Sequence, residues 1–349
     1  MKILVGMSGG IDSTYAALKL KNEGHHVEGA VLVMHEYTET ELALSSGREL
    51  GIPVRVVDVK DAFYRDVVPN FISEYKNGRT PNPCIICNGA VKFKYLLEYA
   101  LANGFEAIAT GHYARIARTN EGKNAIARAA DGKKDQSYML WRLSDEVLSH
   151  LILPLGEMTK DEIRENAKAL GLSAHDRPDS QEICFIPDGD YVSYIESHTG
   201  ACAHGDFIDD DGNVIGEHKG IIRYTVGQRK GLGIAASSRI FVTDIDPEAN
   251  TVTLSPTYSE ASSLTVSDPI FSGMHPLGAR EEAELEVKLR YAAPPIKCRV
   301  RRLENGKISV DLDAPARAVT AGQSAVFYKG GVLMFGAFID KKQTEKKQK

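Results

Sequence analysis

The chain has 349 residues, enough for two or three domains, and its 43% hydrophobic and 26% charged residues are those of a globular protein. No apolar run reaches the length of a bilayer crossing, which excludes a helical membrane protein, and five cysteines, an odd number, argue against a secreted disulfide framework. The formal net charge of -5 does not mark a nucleic-acid binder, although residues 261–349 hold 15 Lys+Arg against 10 Asp+Glu, a local +5 that leaves -10 on the rest.

In chain order, residues 2–7 read as an apolar, β-branched-rich strand and 13–23 as the helix that follows. Strands at 27–34, 54–57 and 107–110 alternate with helices at 38–50, 62–75 and 91–102. Repeated strand–helix units imply an α/β fold with a doubly wound parallel sheet, whose ligands bind at the C-terminal strand ends. Residues 113–118 and 123–128 flank Asn120-Glu121-Gly122 and read as a hairpin. A helix over 159–170 starts at a Thr159 cap with Glu162 three residues on. Beyond Asp206, turn signals separate short alternating runs at 242–245, 252–254, 283–291, 296–303, 308–312 and 324–328. This is a small β-rich central domain followed by a C-terminal β-barrel. The expected domains are a catalytic one over 1–192, a central one over 193–260 and the barrel over 261–340; the lysine-rich 341–349 reads as a disordered tail. Met1 leads directly into the first strand, so the expectation is a cytoplasmic monomer with no signal peptide and no membrane contact.

The first turn, Gly6-Met7-Ser8-Gly9-Gly10-Ile11-Asp12-Ser13, lies between a strand and a helix. Its glycines leave room for a ligand, and its serines and free N–H groups face out at a helix N-terminus, where phosphate binds. It lacks the lysine that ends a Walker A loop. Asp12 sits inside the phosphate turn, which makes sense if a divalent cation such as Mg2+ lies between the carboxylate and the phosphates. Met34 and Gly111 end other strands and fall on the same rim.

Cys84 and Cys87 form a C-x-x-C behind Asn82 and Pro83, with a helix following at once. Cys87 near a helix N-terminus is expected to have a stabilised thiolate. Cys184 lies in a polar loop and is a third reactive candidate; Cys202 and Cys298 lack such settings, and Cys298 reads as a core residue. Half a zinc site, a redox dithiol and sulfur transfer all remain open for the pair at this point. Lys92 and Lys94 would face RNA phosphates or simply form a solvated helix face; Arg229-Lys230, between glycines, are better placed for backbone contacts.

The Ser-Gly-Gly-x-Asp-Ser spelling of 8–13 resembles the PP-loop ATP pyrophosphatases (adenine nucleotide alpha hydrolase-like), which pass AMP to a substrate oxygen. With 81–88, 110–113, 134–138, Cys184-Phe185-Ile186, 225–233 and 322–328, the chain resembles the MnmA-type tRNA-uridine 2-sulfurtransferases along almost its whole length. The resemblance implies ATP-dependent 2-thiolation of the wobble uridine (position 34) through an adenylated C2 oxygen. It implies Cys87 as nucleophile and Cys184 as persulfide carrier, the two ending as a disulfide, with a cysteine desulfurase or sulfur-relay protein as donor. The turn with Met34 and Gly111 would bind ATP; Asn82, Pro83, Cys84, His112, Lys134, Asp135, Gln136, Arg290, Tyr291 and Gln323 would contact tRNA, expected to be the Lys, Glu and Gln isoacceptors. Two departures stand out. Cys84 replaces the Asp of the best-known members, so that Cys84, Cys87 and Cys184 are equally readable as ligands of a 4Fe–4S cluster, and the segment between Met34 and Leu50 is short. Another PP-loop adenylating ligase, such as an amide-forming synthetase, and a non-enzymatic RNA- or metal-binding module are the alternatives.

Overall fold

The computed structural model describes residues 1–119, 121–176, 183–234 and 239–341. Asn120 of the expected hairpin turn, Asp179, Ser180, Gln181 and Glu182 ahead of Cys184, and the tail from Lys342 onward lie outside the described residues.

The central strand β1 (Lys2–Gly6) buries Ile3, Leu4 and Val5 completely, as a strand covered on both faces must. Beside it run β2 (His26–Val33) and β3 (Val54–Asp58) on one side. On the other lies β4 (Ala107–Thr110) and, after the hairpin β5 (Arg115–Arg118) and β6 (Asn124–Ala127), the short β7 (Leu151–Ile152). The order β3-β2-β1-β4-β7 is parallel throughout. Ile3 and Val5 pack on one face with α1 (Ile11–Asn22) and α2 (Thr40–Leu50), while Leu4 packs on the other with α3 (Lys60–Asp66) and α4 (Val68–Lys76). The expected single helix over 62–75 is broken at Val67, with Pro69 in the first turn of α4, where its missing N–H costs nothing.

The expected helix over 91–102 begins earlier. It runs as α5 (Pro83–Cys87), a π-helical turn over Asn88–Lys92, and α6 (Phe93–Ala102). Further along lie α7 (Asp145–His150), α8 (Lys160–Ala169) and α9 (Tyr191–Thr199). A small sheet follows, built from β8 (Gly205–Ile208), β9 (Val214–His218), β10 (Phe241–Asp246) and β11 (Thr251–Ser255) in the order β10-β11-β8-β9. The last six strands are β12 (Glu260–Phe271), β13 (Glu282–Lys288), β14 (Ile296–Arg302), β15 (Ile308–Arg317), β16 (Ser324–Lys329) and β17 (Val332–Ile339). They close in the order β12-β15-β14-β13-β16-β17 back onto β12, with Cys298 inside the barrel core. The hairpin strand β6 pairs with β17, so the first part of the chain is joined edge-on to the barrel.

Candidate active site

Strand order reverses between β1 and β4, which opens a crevice at their C-terminal ends. The glycine turn fills it. Gly9 takes φ 78°, and a Cβ there would lie 2.5 Å from the backbone of Leu42, so this position needs glycine for conformation and for space. The turn is stapled internally: Ser8 N–H donates to Ser13 Oγ at 3.1 Å, and the hydroxyls of Ser13 and Thr14 donate to the Gly10 carbonyl at 3.1 and 2.9 Å. Gly10 caps α1 without any side-chain bond, which leaves the first N–H groups of that helix to a ligand. From β4, Gly111 meets the turn so closely that a Cβ would lie 2.5 Å from the carbonyl carbon of Asp12.

Asp12 does not stand free for a metal ion. Lys160 donates to both of its oxygens at 2.8 Å, and the Tyr113 hydroxyl donates to Oδ1 at 2.6 Å. Lys160 is 3% exposed at the start of α8, whose first turn is fixed by the reciprocal Thr159–Glu162 capping box. The place expected for a divalent cation therefore holds an ammonium. The sequence reading missed Lys160. Its signal was a lysine at the first helical position, where the helix dipole disfavours a cation.

The thiols gather on the neighbouring part of the rim. Asn82 Oδ1 accepts from Cys84 N–H at 3.2 Å and so caps α5. Cys84 is exposed, whereas Cys87 is buried and its thiol donates to Met34 Sδ, just past β2, at 3.4 Å. Burial pushes the Cys87 thiol up; the nearby Lys92 opposes this without reversing it, so the expected stabilised thiolate is absent. Cys184 is exposed but crowded by protein, and that crowding, followed by Cys84 and Cys87 as like-charged neighbours, pushes its thiol up to about 12. Phe185 anchors this segment between Phe63, Phe71 and Tyr194, with ring centroids 5.3, 5.4 and 5.3 Å away. Among the described residues no three His, Cys, Asp or Glu side chains are grouped closely enough to hold a metal ion.

This pairing of a phosphate turn with thiols can be set beside known proteins. Residues 1–188 match the family described as tRNA methyl transferase HUP domain, 193–256 its PRC-barrel domain, and 261–339 the aminomethyltransferase beta-barrel domain. A tRNA-specific 2-thiouridylase MnmA of Clostridium perfringens is 43% identical over 355 residues, spanning 97% of this chain and 98% of that protein. The chain belongs to the tRNA-specific 2-thiouridylase family. The Acetivibrio thermocellus member is 42% identical over 358 residues, covering 97% of this chain. Among solved structures, a 4-thiouridine synthetase–RNA complex with bound ATP aligns at TM-score 0.36 and 22% identity over 56% of this chain and 50% of that one.

As a 2-thiouridylase family member the chain is a sulfurtransferase. Its expected nucleic-acid contacts fall into two groups. Pro83, Cys84 and His112 lie at the rim beside Cys87, and Lys134 lies in the loop between β6 and α7. His112 accepts or donates at Nδ1 with Thr110 Oγ1 at 2.9 Å, and burial, aided by the Lys92 charge, pushes its imidazole down to about 3, so it is neutral. The others are engaged inside the protein. Asp135 is buried and accepts from Ala129 N–H, Ser137 N–H and Ser137 Oγ. Gln136 exchanges two bonds with the Tyr113 backbone, which fixes the tyrosine that holds Asp12. Arg290 donates to Ala318 O and Thr320 Oγ1, each at 2.8 Å, and Tyr291 packs near Tyr138. Gln323 donates to the Thr80 carbonyl at 2.7 Å. Thr80 also donates to Ala321 O and meets Thr225 Oγ1, so the barrel and the central sheet both grip the segment leading to Asn82.

Proposed function

We propose that this protein transfers sulfur to C2 of the wobble uridine, position 34, of tRNA in an ATP-driven reaction. One observation carries the reading: Cys87 touches Met34 on the same rim where Gly111 meets the phosphate turn, so nucleotide and thiols share one crevice. The C2 oxygen of a uracil is a poor leaving group. ATP, arriving as its Mg2+ complex, would take attack of that oxygen on the α-phosphate, release pyrophosphate and leave AMP on the base. A persulfide on Cys184 then attacks C2; the C2–O bond breaks and its electron pair departs with AMP. Cys87 gives up its proton to solvent and its sulfur attacks Cys184 Sγ, the sulfur–sulfur bond opens, 2-thiouridine leaves, and a Cys87–Cys184 disulfide remains. A dithiol reductant reopens that disulfide, and a cysteine desulfurase or relay protein reloads Cys184. Both thiols rest largely protonated, so the persulfide, a stronger acid than a thiol, is the species suited to this site. The unpaired bases of an anticodon loop can be turned into the crevice at low cost. The expected substrates are the Lys, Glu and Gln tRNAs.

The test supplies the purified protein with ATP, an unmodified tRNA transcript and a persulfide donor, then digests the RNA for mass spectrometry. Pyrophosphate release that requires tRNA, together with 2-thiouridine at position 34, is the expected result. Full tRNA-dependent turnover after both Cys87→Ser and Cys184→Ser would instead favour an amide-forming ligase. Iron and acid-labile sulfide retained through anaerobic purification and lost on Cys84→Ala would overturn the persulfide route.

A further inference from the structure

Lys92 and Lys94 are adjacent in pattern but opposite in setting. Lys94 is exposed, pairs with Glu98 at 4.0 Å and lies over the Tyr95 ring, as a solvated helix face should. Lys92 is half-buried between Val91 and Phe93, neither of which has any exposure. Among the described residues it has no carboxylate within ion-pair distance. The π-helical turn explains where it points. Phe93 N–H donates to Asn88 O, a spacing of five rather than four residues. In an uninterrupted α-helix, residues five apart lie about 140° from one another around the axis. The extra residue of the π-turn brings Lys92 round to the face that carries Cys87. Its charge then acts on three groups from three segments: Cys87 on α5, Cys184 in the loop before Phe185, and His112 after β4. Phe93, next to it, packs on the His112 ring with centroids 5.4 Å apart, and His112 follows Gly111 at the edge of the phosphate turn. Of the described side chains there, His112 is neutral, and Met34 and Phe93 are apolar.

We propose that Lys92 is a catalytic residue that binds the phosphate of the adenylated uridine and stabilises AMP as it leaves. Resting on the thiolation reading above, the assignment concerns the second half of the reaction. As sulfur bonds to C2, the C2–O bond breaks and its electron pair passes to the phosphate oxygen of AMP. The ammonium offsets that added negative charge and keeps its own proton. No described carboxylate pairs with Lys92, and in the reduced dielectric of a half-buried position such a contact is stronger than at the surface. Lys160, the other cation at the turn, is already paired with Asp12.

A single-turnover assay with labelled ATP separates the halves. Lys92→Met is expected to release pyrophosphate at close to the normal rate, to accumulate tRNA carrying AMP, and to form 2-thiouridine about 100-fold more slowly. Lys92→Arg should recover most of that loss, and Lys94→Met should change nothing. The proposal is overturned if Lys92→Met thiolates normally, if it slows pyrophosphate release as much as thiolation, or if Lys92→Arg fails to rescue while folding normally by circular dichroism. If the unmodified protein itself never forms AMP–tRNA, the thiolation reading fails first, and the Lys92 variants are not needed to show it.

Discussion

The Asp12–Lys160 pair makes an asymmetric prediction. Both carboxylate oxygens lie 2.8 Å from the ammonium, yet the partners differ in exposure: the lysine side chain is 4% exposed and the aspartate 31%. Removing one partner of a buried pair costs about 3–5 kcal/mol because the other charge is left in a poor dielectric. Asp12→Asn strands the buried ammonium, so it should approach that full cost or force the lysine to lose its proton. Lys160→Met strands a carboxylate that is a third open to water and still holds the Tyr113 hydroxyl; about 1–2 kcal/mol is expected. Urea unfolding of the two variants, followed by the fluorescence of Trp141, which is buried where the first domain meets the barrel, reads the difference. The activity order should be less lopsided. Lys160→Met should lower tRNA-dependent pyrophosphate release by about 100-fold, since it removes the cation that faces the phosphate turn. Equal or reversed destabilisation, with Lys160→Met the worse of the two, would refute the reasoning from exposure. Normal pyrophosphate release by Lys160→Met would refute the role given to its charge.

Three further outcomes follow from single groups. His112 stays neutral in the native state down to about 3, while the unfolded imidazole takes a proton below 6.5, so the unfolded state binds more protons between those values. Stability should therefore fall as pH drops through that window, and His112→Phe should remove about 2 kcal/mol of the loss measured by urea titration between about pH 7.5 and pH 5. The Cys184 thiol, pushed up to about 12, should alkylate slowly at neutral pH, with a rate that climbs about tenfold per pH unit and shows no plateau below about pH 11; a plateau near about pH 8 in peptide mass mapping would contradict it. Gly322 takes φ 85°, and a Cβ there would lie 2.9 Å from Glu74 Oε2 and 3.1 Å from Thr80 N. Gly322→Ala should thus loosen the barrel's grip on the Cys84–Cys87 segment, costing about 1–3 kcal/mol and slowing thiolation while ATP binding, measured by calorimetry, stays intact.

The chain's local chemistry was most legible where a pattern has one structural outcome. The alternation of apolar runs and amphipathic stretches over the first 110 residues specified the parallel sheet, and the glycine turn fell at its switch point because β1 must end there. The barrel strands at 283–291 and 296–303 were visible as alternation, whereas β12 and β17 were not. β12 contains Pro269 and a left-handed Asp268, and β17 reads as a continuous apolar run because one face lines the barrel core and the other packs against Trp141. Neither carries the period-two signal of a half-exposed strand.

Long-range pairings were illegible for a different reason. Nothing local ties Lys160 to Asp12, 148 residues away, or Gln323 to Thr80, 243 residues away; only the closed fold brings them together. These same pairings decide how the two halves of the site are held. The phosphate turn is braced by α8 and by Tyr113, which Gln136 fixes in turn, so its geometry is set within the first domain. The cysteine segment is held within the first domain by Asn88, whose side chain donates to Met139 O, and in addition from outside, through Thr80, by the barrel and the central domain. A tRNA that displaced Gln323 from the Thr80 carbonyl would disturb the thiol side before the nucleotide side. On the proposed reading, the sulfur half of the reaction, which depends on that outside brace, is the step that a displaced Gln323 would affect first.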